Sequence, residues 1–170
     1  RVLFRSITVQ GLAGTDTSAS LSLTNLATTG LAVAMTVGAN NATTSYAGVL
    51  SGLGSVTKAG TGTLTLSGAN TYSGITTISA GTLQIAADSG LGAAPGSATA
   101  GQLVLNGGTL QATSTFTLSA NRGISLGSSG GTINTNSGVT LTYGGIAAST
   151  GALTKVGSGT LILKIGRAHV

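Results

Sequence analysis

The unit Gly-Thr-(Leu/Ile)-x-x recurs along the chain, opening at Gly62, Gly81, Gly108, Gly131 and Gly159. Successive copies are 19, 27, 23 and 28 residues apart. Each copy reads as a turn glycine followed by a short strand. In Gly62-Thr63-Leu64-Thr65-Leu66 the leucines face one side and the threonines the other, since side chains alternate along a strand. The same alternation places Leu83 with Ile85, Leu103 with Leu105, Leu110 with Ala112, Val139 with Leu141, and Leu161 with Leu163. One such unit cannot bury its apolar side alone, but stacked copies can.

A longer echo lies on top of this one. Ser45-Tyr46-Ala47-Gly48-Val49 leads to Thr57-Lys58-Ala59-Gly60-Thr61-Gly62-Thr63-Leu64, and Thr142-Tyr143-Gly144-Gly145-Ile146 leads to Thr154-Lys155-Val156-Gly157-Ser158-Gly159-Thr160-Leu161. Tyr and Lys are 12 residues apart in both, and the copies lie 97 residues apart. Repeats of this kind predict an all-β fold, a right-handed parallel β-helix (β-solenoid) without its natural caps. The Leu residues of the repeats should form interior columns. An antiparallel β-sandwich is the competing fold, because it also uses short strands and regular turns. Recurrence of the unit itself, and not only its spacing, favours the solenoid. No stretch keeps helical periodicity for three turns, although Ala86 to Ala94 could form one short helical turn.

Composition narrows the chemistry. Gly supplies 29 residues, Thr 29 and Ser 20, and only 5% are charged. Cys, Trp and Glu are absent, so disulfides, thiol chemistry and cysteine zinc sites are excluded. An acidic calcium cage needs several carboxylates, and the chain has two. The best apolar run, Leu31 to Met35, is far short of the ~18 residues of a membrane-spanning helix.

The termini carry a separate signal. Arg1-Val2-Leu3-Phe4-Arg5-Ser6 can be written CGT GTG CTC TTC CGA TCT. Its reverse complement, read from the third base, encodes Ile165-Gly166-Arg167-Ala168-His169 and opens a Val codon. Residues 1–6 and 164–170 are therefore expected to be adapter-derived scar outside the fold, flanking a repeat segment at 7–163. The formal charge of +5 then shrinks to +1, with Lys58, Arg122 and Lys155 against Asp16 and Asp88. So small an excess offers few phosphate contacts, and no nucleic-acid partner is expected. His169, the lone histidine, falls in the scar as well.

Residues 57–83, TKAGTGTLTLSGANTYSGITTISAGTL, resemble the autotransporter-associated β-strand repeat, also called the passenger-associated transport repeat. Residues 121–163 resemble the stretch that precedes and opens the next such repeat. Ile75 departs from the family, which usually carries a second Gly after Ser73-Gly74. The resemblance covers 46–163 well, and 7–45 only by composition. It implies an extracellular β-helical passenger of a type V secreted bacterial protein. The usual partner of such a passenger is a C-terminal outer-membrane β-barrel translocator.

Few residues could carry chemistry. Lys58 and Lys155 could form a ligand-contacting stripe, but turn residues with their charge in solvent are expected. Asp16 and Asp88 lie in unrelated contexts, and a paired acid–base site needs two groups within about 5–10 Å; turn or cap roles fit them better. Tyr46, Tyr72 and Tyr143 could stack on sugars, or fill corners and strand ends. The strings Thr63-Leu64-Thr65, Thr115-Phe116-Thr117 and Thr140-Leu141-Thr142 would turn pairs of Thr outward. Such an array could order water as ice-binding solenoids do, or bind carbohydrate, although Gln84, Gln111 and Asn134 interrupt it.

No catalytic, cofactor-binding or metal-binding residue is expected, and no enzyme activity. The expected role is a stiff stalk in an adhesin-like surface protein, one that could also aid its own export. Host, matrix or neighbouring-cell surfaces are the expected partners of the whole protein. End-to-end association of the uncapped segment is also expected, with no membrane insertion by it.

Overall fold

The computed structural model describes residues 5–25 and 30–164. The first coil holds β1 (Ser6–Val9) and β2 (Ser20–Ser22), followed by the small antiparallel pair β3 (Thr24–Asn25) and β4 (Leu31–Ala32). The second coil holds β5 (Ala34–Val37), β6 (Thr44–Tyr46) and β7 (Val49–Ser51). The third holds β8 (Val56–Lys58) and β9 (Thr63–Leu66). The fourth holds β10 (Thr76–Ile78), β11 (Thr82–Ile85) and a 3-10 turn, Asp88–Leu91. The fifth holds β12 (Thr99–Leu105), β13 (Thr109–Ala112) and β14 (Phe116–Leu118), and the sixth β15 (Arg122–Leu126), β16 (Gly131–Thr135) and β17 (Thr140–Tyr143). The seventh pass holds β18 (Ala147–Ser149), β19 (Leu153–Val156) and β20 (Thr160–Leu163).

Strands stack in three parallel faces. The first face orders β1, β5, β8, β10, β12, β15 and β18, and the second β6, β9, β11, β13, β16 and β19. The third orders β14, β17 and β20, with β2 and β7 pairing separately at the other end. Every coil-to-coil pairing is parallel, as the repeats predict, which excludes the sandwich. The result is a β-solenoid of about six turns. Met35↔Val56, Val56↔Thr76, Thr76↔Leu103, Leu103↔Ile124 and Ile124↔Ala147 give coil lengths, by difference, of 21, 20, 27, 21 and 23 residues. The long coil absorbs its excess in the 3-10 turn and the loop around Pro95, and the turn falls inside the short helical stretch expected at Ala86–Ala94.

Alternation fills the interior. On the second face Leu64, Leu83, Leu110 and Ile133 form one buried column, and Leu66, Ile85 and Ala112 the next. Full burial of a Leu contributes about 1.5–3 kcal/mol, and each coil adds several. Corners are tight. Gly60 has φ +64, and a Cβ there would collide with the carbonyl of Gly38 in the coil below.

One expectation needs correction. Leu161, of the fifth Gly-Thr-Leu unit, does not join the Leu64 column; it pairs with Leu141 on the third face. Tyr46 and Leu64 lie on the second face, whereas their counterparts Tyr143 and Leu161 lie on the third. The 97-residue echo is thus rotated by one face. A strand–corner–strand unit repeats in the sequence, and it fits more than one corner of the prism.

The terminal segments meet the fold at their inner edges. Ser6 pairs with Ala34, the amide of Ala34 donates to the Arg5 carbonyl (2.9 Å), and the amide of Lys164 donates to the Tyr143 carbonyl (2.7 Å). Residues 1–4 and 165–170, and with them most of the expected scar, lie outside the described residues.

Candidate functional site

The Lys-x-Gly corner differs from its expected role. Lys58 ends β8 in an interior column, between Val37 and Ile78, and is 1% exposed. Its Nζ donates to the carbonyls of Ala59 (2.5 Å), Gly60 (2.8 Å) and Ala80 (3.4 Å). It therefore ties its own corner to the corner of the next coil, and burial pushes its pKa below the usual lysine value. Lys58 does not hold its charge in solvent, because the stacked coils close over the corner. Lys155 makes the same local cap, to the carbonyls of Val156 (2.7 Å) and Gly157 (2.9 Å). It lies on the last pass and is exposed. The two lysines lie on different faces, so they form no stripe.

All three tyrosines are buried, which leaves no ring face for an external sugar. The Tyr72 hydroxyl shares a 2.7 Å hydrogen bond with Thr76 Oγ1, and burial pushes its pKa up to about 12. Asn70 precedes it and bridges three coils: its Oδ1 accepts from the amide of Leu50 (2.8 Å), and its Nδ2 donates to the Gly90 carbonyl (3.0 Å). The Asn-Thr-Tyr-Ser-Gly string is thus a framework motif. The Tyr143 hydroxyl donates toward the carbonyls of Arg122 (3.0 Å) and Ile146 (2.5 Å) and accepts from the amide of Ile124 (3.2 Å). Burial raises its pKa as well.

The carboxylates are far apart in role. Asp16 forms an exposed turn, accepting from Ser18 N (2.8 Å) and Ser18 Oγ (2.6 Å), and these bonds lower its pKa. Asp88 opens the 3-10 turn and also pairs with Arg122, a contact that spacing along the chain does not signal. Arg122 is wholly buried and donates also to the carbonyls of Leu91 (2.9 Å) and Gly92 (3.0 Å). The ion pair is consumed in holding the long fourth coil to the sixth, and offers no free acid or base.

The outer surface of the second face is uncharged, and it is polar from β6 to β16; on β19 the exposed Val156 follows Asn134. Thr63, Thr82, Thr109, Thr132 and Thr154 form one unbroken column. The neighbouring column runs Thr65, Gln84, Gln111 and Asn134, so the interruptions expected from the sequence occupy one column only. Among the described residues no three His, Cys, Asp or Glu side chains converge on a point. No helix among them is long and apolar enough to cross a membrane.

Fold and corner motif together define a class, a parallel β-solenoid whose coils turn at Lys-x-Gly corners. Residues 56–85 and 153–166 match the passenger-associated-transport-repeat family. Both matches contain a Lys-x-Gly corner, on the first face in one and on the second in the other. The chain is also homologous to the adhesin BmaC autotransporter of Brucella suis biovar 1 (strain 1330), at 38% identity over 128 residues. That alignment covers 75% of this chain and 4% of the adhesin's length. No solved structure matches the chain.

Proposed function

We propose that this segment is a structural stalk in the passenger of a surface adhesin, holding a terminal module away from the cell. The carrying observation is the unbroken parallel ladder of the first face, from β1 to β18, with corners cross-tied by Lys58, Asn70 and Arg122. Such a ladder is stiff along its axis and can fold coil by coil as the chain emerges. The parent protein is then displayed outside the cell through an outer-membrane β-barrel translocator. Host, matrix or neighbouring-cell surfaces are the partners of the whole protein, and neither enzyme activity nor nucleic-acid binding belongs to this segment.

The test is display. The chain is placed between a secretion signal and a β-barrel translocator in a Gram-negative host. Surface labelling and a protease-resistant core of the segment's size are expected. Retention in the periplasm, or digestion to small peptides at the surface, would refute the stalk role. A chain trimmed to residues 5–164 is expected to melt within about 3 °C of the full chain, as scar-like termini require.

The unbroken threonine column favours a second reading, a surface that orders water or carbohydrate. Thermal hysteresis in a freezing assay, or retention on immobilised polysaccharide, would support it. The Gln and Asn column beside it predicts neither.

A further inference from the structure

Asn41, Ala42 and Thr43 spell Asn-x-Thr, the acceptor pattern for a sugar on an asparagine side chain, and no other asparagine of the chain has Ser or Thr two residues on. The triplet lies in the corner that joins β5 to β6, in the second coil, with Asn41 and Thr43 exposed. A tight turn holds it there. The amide of Asn41 donates to the Gly38 carbonyl (3.0 Å), and that of Ala42 to Asn40 Oδ1 (3.1 Å). Asn41 has φ 61, the one positive value outside glycine among the described residues. Asparagine tolerates this left-handed conformation better than most side chains do.

The two functional side chains of the triplet turn the same way. Asn41 Oδ1 accepts from the amide of Thr61 (2.9 Å), and Thr43 Oγ1 from the amide of Thr63 (3.2 Å), in the corner of the third coil. Both bonds engage acceptors only. Asn41 Nδ2 and the Thr43 hydroxyl proton have no partner among the described residues. Other asparagines differ: Asn70 is buried with both side-chain ends bonded, and Asn121 Nδ2 donates to the Pro95 carbonyl (2.9 Å). A side-chain amide nitrogen is a poor nucleophile, because its lone pair is delocalised into the carbonyl. A transferase must therefore grip the asparagine and the hydroxyl together to direct that nitrogen at a sugar. This corner presents the two on one side.

We propose that Asn41 is a glycan acceptor, taking on Nδ2 a sugar that is activated at C1 by a diphosphate. Nδ2 attacks C1, the bond from C1 to the diphosphate oxygen breaks, and its electron pair leaves with the diphosphate. One Nδ2 proton passes to a base of the transferase, and nothing is oxidised or reduced. Nδ2 keeps its second proton, and Oδ1 keeps its bond to Thr61, so the sugar hangs from the corner without opening the contact between coils. It adds hydration to a surface on which charge is scarce. The assignment rests on this corner and not on the stalk role.

The test offers the whole chain two donors. In one arm it is incubated with UDP-glucose and a soluble asparagine glucosyltransferase. In the other it is expressed in a Gram-negative host with a membrane transferase and a polyprenyl-diphosphate-linked oligosaccharide. Peptide mapping by mass spectrometry is expected to place sugar on Asn41, a single hexose assigning the nucleotide source and an oligosaccharide the lipid-linked one. Asn41→Asp keeps an acceptor oxygen and the left-handed turn but lacks the nitrogen, and should lose the modification. Thr43→Ala should lose it too, while Thr43→Ser keeps it. Circular dichroism of each variant checks that the β-structure is retained. The glycosylated chain should melt within about 3 °C of the unmodified one, since Nδ2 holds nothing in the fold. No sugar on Asn41 in either arm, sugar on an asparagine outside the triplet, transfer that survives Thr43→Ala, or a larger fall in melting temperature would each overturn the proposal.

Discussion

Arg122 Nε lies 3.1 Å from Asp88 Oδ1, and its Nη2 lies 3.2 Å from Oδ2, across 34 residues of sequence. The guanidinium is fully buried and Asp88 is 23% exposed. Two backbone carbonyls and one carboxylate depend on this one side chain. Removing either partner of a buried pair costs about 3–5 kcal/mol, because the other is left uncompensated. Arg122→Met is expected near the top of that range, and Asp88→Ala near the bottom, given its exposure. Urea melts of the two single variants and the double variant should give a coupling energy above about 1 kcal/mol. Additive effects would show that the pair does not act as a unit.

Thr135 presents a smaller case of the same kind. Its side chain is fully buried on the second face, above Ala112, and its hydroxyl has no partner among the described residues. An unpaired buried polar group costs about 1–3 kcal/mol. Thr135→Val keeps the shape and removes the orphan, so thermal melts should show a gain of about 1 kcal/mol. A loss would mean that the hydroxyl is satisfied by water.

Alkaline pH tests the buried titratable groups, with opposite signs. Tyr72 is held protonated to about pH 12 by burial, whereas an unfolded tyrosine ionises near 10. Its stabilising contribution is complete below pH 10 and is lost as pH rises through about 12. The loss approaches about 2.7 kcal/mol for two pH units. Lys58 has a lowered pKa, so between that value and 10.5 the unfolded chain binds more protons, and stability rises with pH there. Denaturation midpoints from pH 8 to 12.5 should therefore rise or hold before they fall. Tyr72→Phe should flatten the fall, and Lys58→Met should remove the rise. An unchanged profile in Tyr72→Phe would show that other groups govern alkaline unfolding.

Much of the fold is legible in the sequence, because one interior face needs only alternation and a turn glycine. Those two features assign Leu64, Leu83 and Leu110 to one column, and they share it. Leu161 is not placeable in the same way. A corner unit specifies two successive strands, but which faces they join depends on the lengths of all intervening coils. Burial of Lys58 depends on a neighbour stacked above it, and Lys155, with the same local sequence, has none among the described residues. The Arg122–Asp88 pair is hidden in the sequence because its partners meet only once the long fourth coil and the fifth are laid down. A usable signal does exist: Arg122 opens a strand in a region without other charge, and Asp88 is the sole carboxylate of the long coil.

Corner glycines give the sharpest contrast between two substitutions of the same type. Gly60 sits at φ +64, with the Gly38 carbonyl and Asn41 Oδ1 (2.9 Å) where a Cβ would go. The obstacle is mostly backbone of the neighbouring coil, which cannot swing aside as a long side chain could. Gly60→Ala should therefore cost about 1–3 kcal/mol from the strained conformation alone, and more from the collision. It should also loosen the Lys58 cap, since the Gly60 carbonyl is one of its acceptors. Gly96 lies in the loop of the long coil, with no atom within 4 Å of where a Cβ would stand and no positive φ. Gly96→Ala should be neutral or stabilise by about 0.4–1 kcal/mol, through the lower entropy of the unfolded chain. Hydrogen exchange of the Ala59–Gly62 amides would separate the two effects. Gly60→Ala should speed exchange there and in the adjoining corners Gly38–Asn41 and Ser79–Gly81, while Gly96→Ala leaves all three unchanged. Equal melting temperatures for the two variants would show that the corners are not close-packed, and that the coils do not depend on glycine at their contacts.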